Sequence, residues 1–385
     1  MTEKQLNMRR LGMEASYLAG CALHGMIPEC APQNLDELYK FCKFHSVTSM
    51  VAMALEEIWK SAPADESQMQ CWRQARDKAI RKNILLNAER QRILEYLESI
   101  GCWYMPLKGS LLQFDYPKFG MRQMSDNDIL YDEDKTREVH DFLIGDGYEA
   151  VTYLQGNHDE YAKKPVYNME MHRSLFAKYA NPVLAGYYDD IKNKLIKDSE
   201  NAFGYHFSHE DFYIFMVAHG YKHYMKGGVG IRTLLDTYVF LDRYHDILDW
   251  KYIEQEIRSI GAWEYDTECR KLARKLFAVP SLQMDLSGEE QDAMDIYFTS
   301  GAYGTEFRKL QTKLVALSGD GASFSKLRYM LIRLFPRFDQ MKERYLVLKK
   351  YPWLAPVFYV LRILSAIFRR EAIGRELQNL RDAQK

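Results

Sequence analysis

The feature that most constrains the fold is a change of periodicity at Gly101. Before it, an amphipathic run extends from about Cys71 to Ile100, with apolar residues at three- and four-residue steps. If unbroken, this run forms a helix of roughly 45 Å, since an α-helix rises about 1.5 Å per residue. After Gly101, a candidate helix C-cap, come short apolar segments separated by turn residues, which are typical of strands. The chain therefore combines long helices with a small region that contains strands.

The regions on either side of the strand-containing part are helical. Residues 1 to about 100 and residues from about 209 onward have helical spacing. Between them, the segment 134–151 predicts a helix that is stopped by Gly145 and Gly147. The strand candidates are CWYMPL (102–107), DNDILY (126–131), EAVTYL (149–154) and PVYNMEMH (165–172). We predict an α+β protein, mostly helical overall, with an N-terminal helical region (1–100), a small α/β core (101–200) and a C-terminal helical domain (201–385) that contains a flexible linker, Ser318–Ser325.

The composition argues against some classes of function. The chain has 385 residues, a formal charge of −1 and a pI near 6.8, so no global basic field favours long nucleic acids. Its six cysteines are scattered without a Cys-x-x-Cys pair, and its N-terminus lacks the apolar stretch of a signal peptide. We predict a cytoplasmic protein with reduced thiols.

One apolar segment near the C-terminus, Tyr351–Phe368, raises the question of a membrane. It contains Pro352, Pro356 and Arg362, and basic residues flank both ends. A spanning helix needs about 20 apolar residues with few charges, so the pattern favours a helix packed into the helical domain. Peripheral membrane contact through this helix is the alternative.

Two aspartates lie one residue apart at the start of a strand candidate. In a strand, Asp126 and Asp128 share a face while Asn127 takes the other. Like charges held side by side favour a cation between them, and Mg²⁺ takes carboxylate oxygens. The sequence also allows a simple turn, with Ser125 as a capping residue. Because the aspartates repel each other, we expect that Asp128→Asn removes function without cost in stability.

A third carboxylate comes from the last strand candidate. Glu170 and His172 share one face of it, while Met169 and Met171 alternate toward a core. If this strand lies beside the first, three carboxylates converge, as two-metal phosphoryl transfer requires. His172 is either a hydrogen-bond partner of the metal site or a core histidine.

An anion-binding turn is predicted upstream, at LKGS. Gly109 allows close backbone approach, Ser110 can cap a helix or bind a phosphate oxygen, and Lys108 adds positive charge. The spacing of a Walker P-loop is missing.

A second group of basic residues lies in the C-terminal helices. His219 and His223 are four residues apart, but Gly220 stands where a zinc protease needs glutamate. We therefore reject a zinc protease. We predict instead that His219, Lys222 and Arg232, which we call the basic wall, face a triphosphate or an acceptor across a cleft. The alternative is a helix-surface ion pair between Arg232 and Asp236.

These motifs together resemble the nucleotidyltransferase superfamily typified by DNA polymerase β. LKGS, SDNDIL and NMEMH occur in the superfamily's order. Within it, the chain resembles the bacterial uncharacterised nucleotidyltransferases, in which LKG, YP, an arginine before the acidic pair and an acidic-x-His strand recur. Here these are Lys108-Gly109, Tyr116-Pro117, Arg122 and Glu170-x-His172. The spacing from Gly109 to Asp126 is longer than usual, and Asn127 replaces a commoner apolar residue.

The resemblance implies a fold and an activity. It implies a small polymerase-β-like mixed sheet flanked by helices, two Mg²⁺ or Mn²⁺ ions on Asp126, Asp128 and Glu170, and a nucleoside triphosphate held by the LKGS turn and Arg122. The expected reaction transfers a nucleoside monophosphate to an unidentified small-molecule or protein acceptor, with release of pyrophosphate. The alternative is a catalytically silent nucleotide-binding or regulatory protein, with a possible link to envelope polysaccharide pathways.

Overall fold

The computed structural model describes residues 3–178, 180–302, 304, 335–336, 338, 341–342, 345 and 347–368. The linker predicted at Ser318–Ser325 and most of the chain after 302 lie outside the described residues. The helices are α1 (Glu3–His24), α2 (Leu35–His45), α3 (Thr48–Trp59), α4 (Glu66–Ser99), α5 (Gly109–Leu112), α6 (Thr136–Gly145), α7 (Pro182–Tyr187), α8 (His209–Gly227), α9 (Ile231–Tyr244), α10 (Trp250–Ser259), α11 (Trp263–Phe277), α12 (Gly288–Ser300), α13 (Val347–Lys350) and α14 (Ala355–Phe368). The strands are β1 (Tyr104–Pro106), β2 (Asn127–Tyr131), β3 (Glu149–Thr152), β4 (His158–Lys163), β5 (Tyr167–His172), β6 (Ile196–Lys197) and β7 (Tyr205–His206).

The first five strands form one mixed sheet in the order β1-β2-β5-β4-β3. β2 and β5 are parallel neighbours, and every other adjacent pair in this sheet is antiparallel. β6 and β7 form a separate two-stranded ribbon. The α+β class with a mostly helical chain is confirmed.

The two faces of the sheet have different environments, because side chains alternate along each strand. On one face, Ile129, Met169 and Met171 are buried against apolar residues of α4 and α6. On the other face, Leu130 packs with apolar residues of α8 and α10, and Asp128, Glu170 and His172 project on this side of their strands. The predicted alternation of Met169 and Met171 toward a core is confirmed.

Helix α4 packs against one face of the sheet. It begins at Glu66, where Asp65 caps the helix by accepting hydrogen bonds from the amides of Ser67 (2.9 Å) and Gln68 (3.4 Å). At its other end, Gly101 takes a φ of +65°, and the Cys102 amide donates to the Leu97 carbonyl at 2.9 Å. This αL termination favours glycine, as the sequence predicts.

A polar seam joins the middle of α4 to the segment before β2. The Asn83 amide donates to the Arg122 carbonyl at 2.8 Å and accepts from the Met124 amide at 3.0 Å. One turn further on, Asn127 donates to the Leu86 carbonyl at 2.8 Å and accepts from Arg90 at 3.1 Å. Asn127 is fully buried, so its unusual presence in a strand is explained by this contact with α4.

The N-terminal and C-terminal helices share a hydrophobic core. Apolar residues of α1, α2 and α3 pack in one cluster with residues of α9, α11 and α12. The three-region division of the chain stays a prediction. Within the described residues, no helix is long and apolar enough to cross a membrane. In the segment 351–368, Trp353, Val357 and Val360 are more than half exposed, and peripheral membrane contact stays a prediction.

The polar seam generates a stability prediction. Asn83→Ala leaves the buried Arg122 carbonyl and Met124 amide without their partners, so the free energy of unfolding should fall by about 2–4 kcal/mol. Urea unfolding followed by circular dichroism measures this. The matched control is Gln91→Ala on the exposed side of α4, which should change it by less than about 0.5 kcal/mol. Equal effects of the two substitutions would contradict the role of the seam.

Candidate active site

A strained lysine opens the site. Lys108 lies between β1 and α5 with φ +50° and ψ −123°, a backbone conformation that is unfavourable for a residue with a Cβ. Its Nζ donates to Asp128 Oδ1 at 2.6 Å and lies 4.0 Å from Glu170 Oε2. The following helix α5 has only four residues, so it supplies less dipole field than the sequence suggests. The sharp turn thus carries the lysine ammonium onto the carboxylates of the neighbouring strands.

The parallel pairing of β2 and β5 brings the acidic residues together. Asp128 and Glu170 are register partners on adjacent strands. His172 Nε2 lies 2.9 Å from Asp128 Oδ1 and 3.4 Å from Glu170 Oε2. Asp126 directly precedes β2 and lines the same cavity. We call Asp126, Asp128 and Glu170 the carboxylate cluster.

The carboxylates of the cluster have opposite electrostatic environments. Burial and the charges of Asp128 and Glu170 raise the pKa of Asp126 to about 6. For Asp128, burial is outweighed by Lys108 and His172, which hold its pKa well below the ordinary value. Burial also opposes the charge of Lys108, but Asp128 and Glu170 outweigh it and raise the lysine pKa. At neutral pH the ion pair between Lys108 and Asp128 is therefore charged on both sides.

This ion pair corrects one expectation from the sequence. Asp128 is buried and is the hydrogen-bond partner of Lys108 and His172, so its charge is favourable despite the nearby Asp126. Removal of one partner of a buried ion pair leaves an uncompensated charge. Asp128→Asn is therefore expected to cost stability, whereas Asp126 carries the unfavourable charge of the pair.

Arg122 is held by an ion pair with α9. Its Nε and Nη2 donate to the two carboxylate oxygens of Asp236 at 2.8 and 2.9 Å, and the Tyr116 hydroxyl also donates to Asp236 at 2.7 Å. A Cβ on Gly109 would lie 2.0 Å from Arg122 Nη1, so the glycine is required by the packed guanidinium. The resemblance implies that Arg122 binds phosphate, whereas in the structure two of its N–H donors are bonded to Asp236. Its role in phosphate binding stays a prediction.

The basic wall and the carboxylate cluster line one cavity of about 300 Å³. The lining includes Lys108, Gly109 and Arg122, the three carboxylates, His172, and all three residues of the wall, namely His219, Lys222 and Arg232. Burial, with added repulsion from Lys108, lowers the pKa of Lys222 to about 8. Burial also holds the pKa of His219 well below its ordinary value, with contributions from Lys108 and His223. His219 is therefore neutral at neutral pH.

Ser110 is the predicted site residue that is absent from the lining of this cavity. Its buried hydroxyl donates to the Leu107 carbonyl, and the residue lies inside α5 rather than at the N-cap. Of the two roles that the sequence allows for Ser110, the helix cap is wrong, because the cap position is taken by Lys108. A bond from Ser110 to a phosphate oxygen stays a prediction.

Sequence reasoning missed His158, which lies on β4. His158 and His172 are register partners on adjacent strands, with ring centroids 4.8 Å apart. Burial, with the charge of His172, lowers the pKa of His158. The pattern that could have revealed this strand is the alternation in HDEYAK (158–163). His158 and Glu160 share one face, while Asp159 and Tyr161 are buried on the other.

The donor set of the site fits a divalent cation. Three carboxylates line one cavity, and the Lys108 ammonium already lies where a positive charge is favoured, against Asp128 and near Glu170. Oxygen ligands of this kind suit Mg²⁺ or Mn²⁺. His158, Glu170 and His172 also present ligand atoms that lie within 4.8 Å of one another.

A mixed sheet with acids on adjacent strands beside a Lys-Gly turn is the arrangement expected of a nucleotidyltransferase-like protein. The chain belongs to the family described as uncharacterised nucleotidyltransferase, which matches residues 31–278. The match extends from the start of the α2 region through the sheet to the end of α11, and it supports a nucleotidyltransferase-like function. No curated protein and no solved structure matches the chain.

The raised pKa of Asp126 generates a prediction about pH. The folded state holds a proton on Asp126 up to about pH 6, against an ordinary value of 3.8, so this group makes the wild type less stable as pH rises between those values. Asp126→Asn should remove that decline and raise the free energy of unfolding at pH 7 by on the order of 1–3 kcal/mol. Urea unfolding in a chelator, from about pH 4 to 7, measures the difference. Asp134→Asn, an exposed acid nearby, is the control, and parallel pH profiles for Asp126→Asn and wild type would contradict the prediction.

Proposed function

We propose that the protein transfers a nucleoside monophosphate from a nucleoside triphosphate to an acceptor hydroxyl and releases pyrophosphate. The observation that carries this proposal is the parallel pairing of β2 with β5, which sets Asp128 opposite Glu170 beside the Lys108–Gly109 turn. Membership of the nucleotidyltransferase family supports the same reaction class. In this proposal Asp126, Asp128 and Glu170 hold two Mg²⁺ or Mn²⁺ ions. When bound, such ions stabilise the charge on the attacking and leaving oxygens.

Lys108 has two roles in this proposal. Without nucleotide, its ammonium neutralises Asp128 at 2.6 Å. An incoming polyphosphate competes for the same ammonium, because phosphate oxygens are strong acceptors of charge-assisted hydrogen bonds. Lys108 then orients the phosphates and leaves Asp128 Oδ1 available as a cation ligand. Substrate binding and cation binding are coupled by this exchange.

The basic wall provides the opposite side of the nucleotide site. Lys222 and Arg232 line the cavity across from the carboxylate cluster, at a position suited to the triphosphate or the acceptor. His219 is neutral at neutral pH, so it acts as a hydrogen-bonding group rather than a charge. Phe215, Val229 and Tyr265 also line the cavity and provide apolar surface for a base or an acceptor. The near-neutral charge of the chain favours a small-molecule or protein acceptor over long nucleic acid.

The second candidate is a catalytically silent nucleotide-binding protein. The contact between Lys108 and Asp128 supports it, since this ion pair stabilises the cluster without a metal ion. In that case nucleotide binds in the same cavity but no pyrophosphate is released. The two candidates differ in turnover and not in the position of the ligand.

The reaction is tested with the four nucleoside triphosphates labelled at the α-phosphate, in Mg²⁺ or Mn²⁺, with fractionated cell extract as the source of acceptors. We expect label in one acceptor fraction and stoichiometric pyrophosphate. Asp126→Asn and Glu170→Gln should each lower transfer by at least roughly a hundredfold, the scale found when one preorganised electrostatic group is removed.

The matched controls are Asp134→Asn and Glu133→Gln, two exposed acids just after β2, which should transfer at the wild-type rate. Circular dichroism checks that every variant is folded. Nucleotide binding without pyrophosphate release in any fraction would favour the silent candidate. Transfer that survives in both Asp126→Asn and Glu170→Gln would rule out the carboxylate cluster as the centre.

A further inference from the structure

We propose that His158, Glu170 and His172 form a mixed nitrogen–oxygen site for a divalent transition-metal ion, such as Co²⁺ or Zn²⁺, in preference to Mg²⁺. This N,N,O site shares Glu170 with the carboxylate cluster but adds a histidine from β4 that the proposed transfer reaction does not use. Its occupancy is measured without nucleotide, so it succeeds or fails separately from the proposed function.

The backbone register creates the site. His158 on β4 and His172 on β5 are directly opposite each other in an antiparallel ladder. Glu170, two residues before His172, projects on the same face. All three side chains therefore lie on one side of two paired strands, and their positions are fixed by the sheet rather than by a loop.

The distances fit one ion. Glu170 Oε2 lies 3.4 Å from His172 Nε2 and 3.9 Å from His158 Nε2, and the ligand atoms of all three residues lie within 4.8 Å of one another. Nitrogen and oxygen ligands bind a transition ion at about 2.0–2.2 Å, so two ligands on one ion lie roughly 3–4 Å apart.

The surrounding charges favour a cation. Asp128, Glu170 and Glu160 are consecutive register partners across β2, β5 and β4, a group that we call the acidic row. Like charges directly opposite each other in a sheet are destabilising. Lys108 lies at the Asp128 end of the row. At the other end of the row, Glu160 Oε1 lies 3.3 Å from His158 Nε2.

The ligand types determine the preferred metal. Imidazole suits Zn²⁺, Co²⁺ and related ions, whereas Mg²⁺ prefers oxygen ligands and retains its water. A site with two imidazoles and one carboxylate therefore selects transition ions when Mg²⁺ is in large excess. The oxygen-only positions at Asp126 and Asp128 have the opposite preference.

Cobalt is the probe for the test. The full chain is freed of metal by chelation and dialysis under a non-thiol reductant, and Co²⁺ is added without nucleotide in millimolar Mg²⁺. We expect a single equivalent of tightly bound Co²⁺ with visible d–d absorption and without thiolate charge-transfer absorption in the near ultraviolet. His158→Gln and Glu170→Gln should each weaken binding by at least about tenfold, the lower end of losses seen even for outer-shell partners.

Two controls separate this site from its competitors. His223→Gln removes the other close histidine pair, in which His219 and His223 Nε2 atoms lie 3.2 Å apart, and it should leave Co²⁺ affinity unchanged. His245→Gln removes an exposed histidine and should do the same. Circular dichroism establishes that each variant is folded. The proposal is overturned if Mg²⁺ displaces the bound Co²⁺, or if His158→Gln retains wild-type affinity, or if His223→Gln is the variant that loses it.

Discussion

The constraint on which the site depends is Coulombic: several carboxylates lie on one face of a sheet. The parallel pairing of β2 with β5 puts Asp128 against Glu170, and the antiparallel pairing of β5 with β4 puts Glu170 against Glu160. Side by side, these groups are unfavourable unless positive charge lies among them. The chain supplies it with the ammonium of Lys108, at 2.6 Å from Asp128, and His172 Nε2 lies 2.9 Å from the same carboxylate. The strained backbone of Lys108 is the cost of placing that ammonium there.

The rest of the fold keeps this strained arrangement in place. Helix α4 holds the loop before β2 through Asn83 and holds β2 itself through Asn127. Arg122, between these points, is tied to α9 through Asp236. Hydrogen bonds and an ion pair thus restrain the segment before β2 from two sides, so Asp126 can remain near Asp128 although each raises the energy of the other. A loop on the surface would relax by moving the charges apart.

Much of the fold and part of the site follow from local patterns. The helix from the Cys71 region to Ile100, its end at Gly101 and the alternation of Met169 with Glu170 depend on periodicity and on one glycine, which a sequence displays directly. The β2–β5 contact follows once both strands are recognised, since alternation then fixes which side chains share a face. Strand β4 was not predicted, because HDEYAK has charged residues where a strand usually has β-branched ones.

The remaining features depend on contacts between residues far apart in the chain. The partner of Arg122 is Asp236, 114 positions away, and no local pattern distinguishes that pair from an i,i+4 pair of Asp236 with Arg232. Ser110 looked like a cap because serine commonly has that role, but the preceding lysine takes the turn. The presence of Asn127 in a strand is explained only by its hydrogen bonds with the Leu86 carbonyl and the Arg90 side chain. Long-range hydrogen bonds thus override the local preference of a residue.

The balance of charge in the site explains why one carboxylate differs from the others. Asp128 has Lys108 and His172, and Glu170 has the same two residues at longer range. Burial and the repulsion of both raise the pKa of Asp126 to about 6, although Lys108 and Arg232 partly offset them. The carboxylate cluster therefore has an excess of negative charge that its own residues do not neutralise. A ligand that brings positive charge relieves the unfavourable charge at Asp126. If the ligand also brings phosphates that bind Lys108, these phosphates compensate for the loss of the Lys108–Asp128 ion pair. That coupling favours the joint binding of cation and polyphosphate over the binding of either alone.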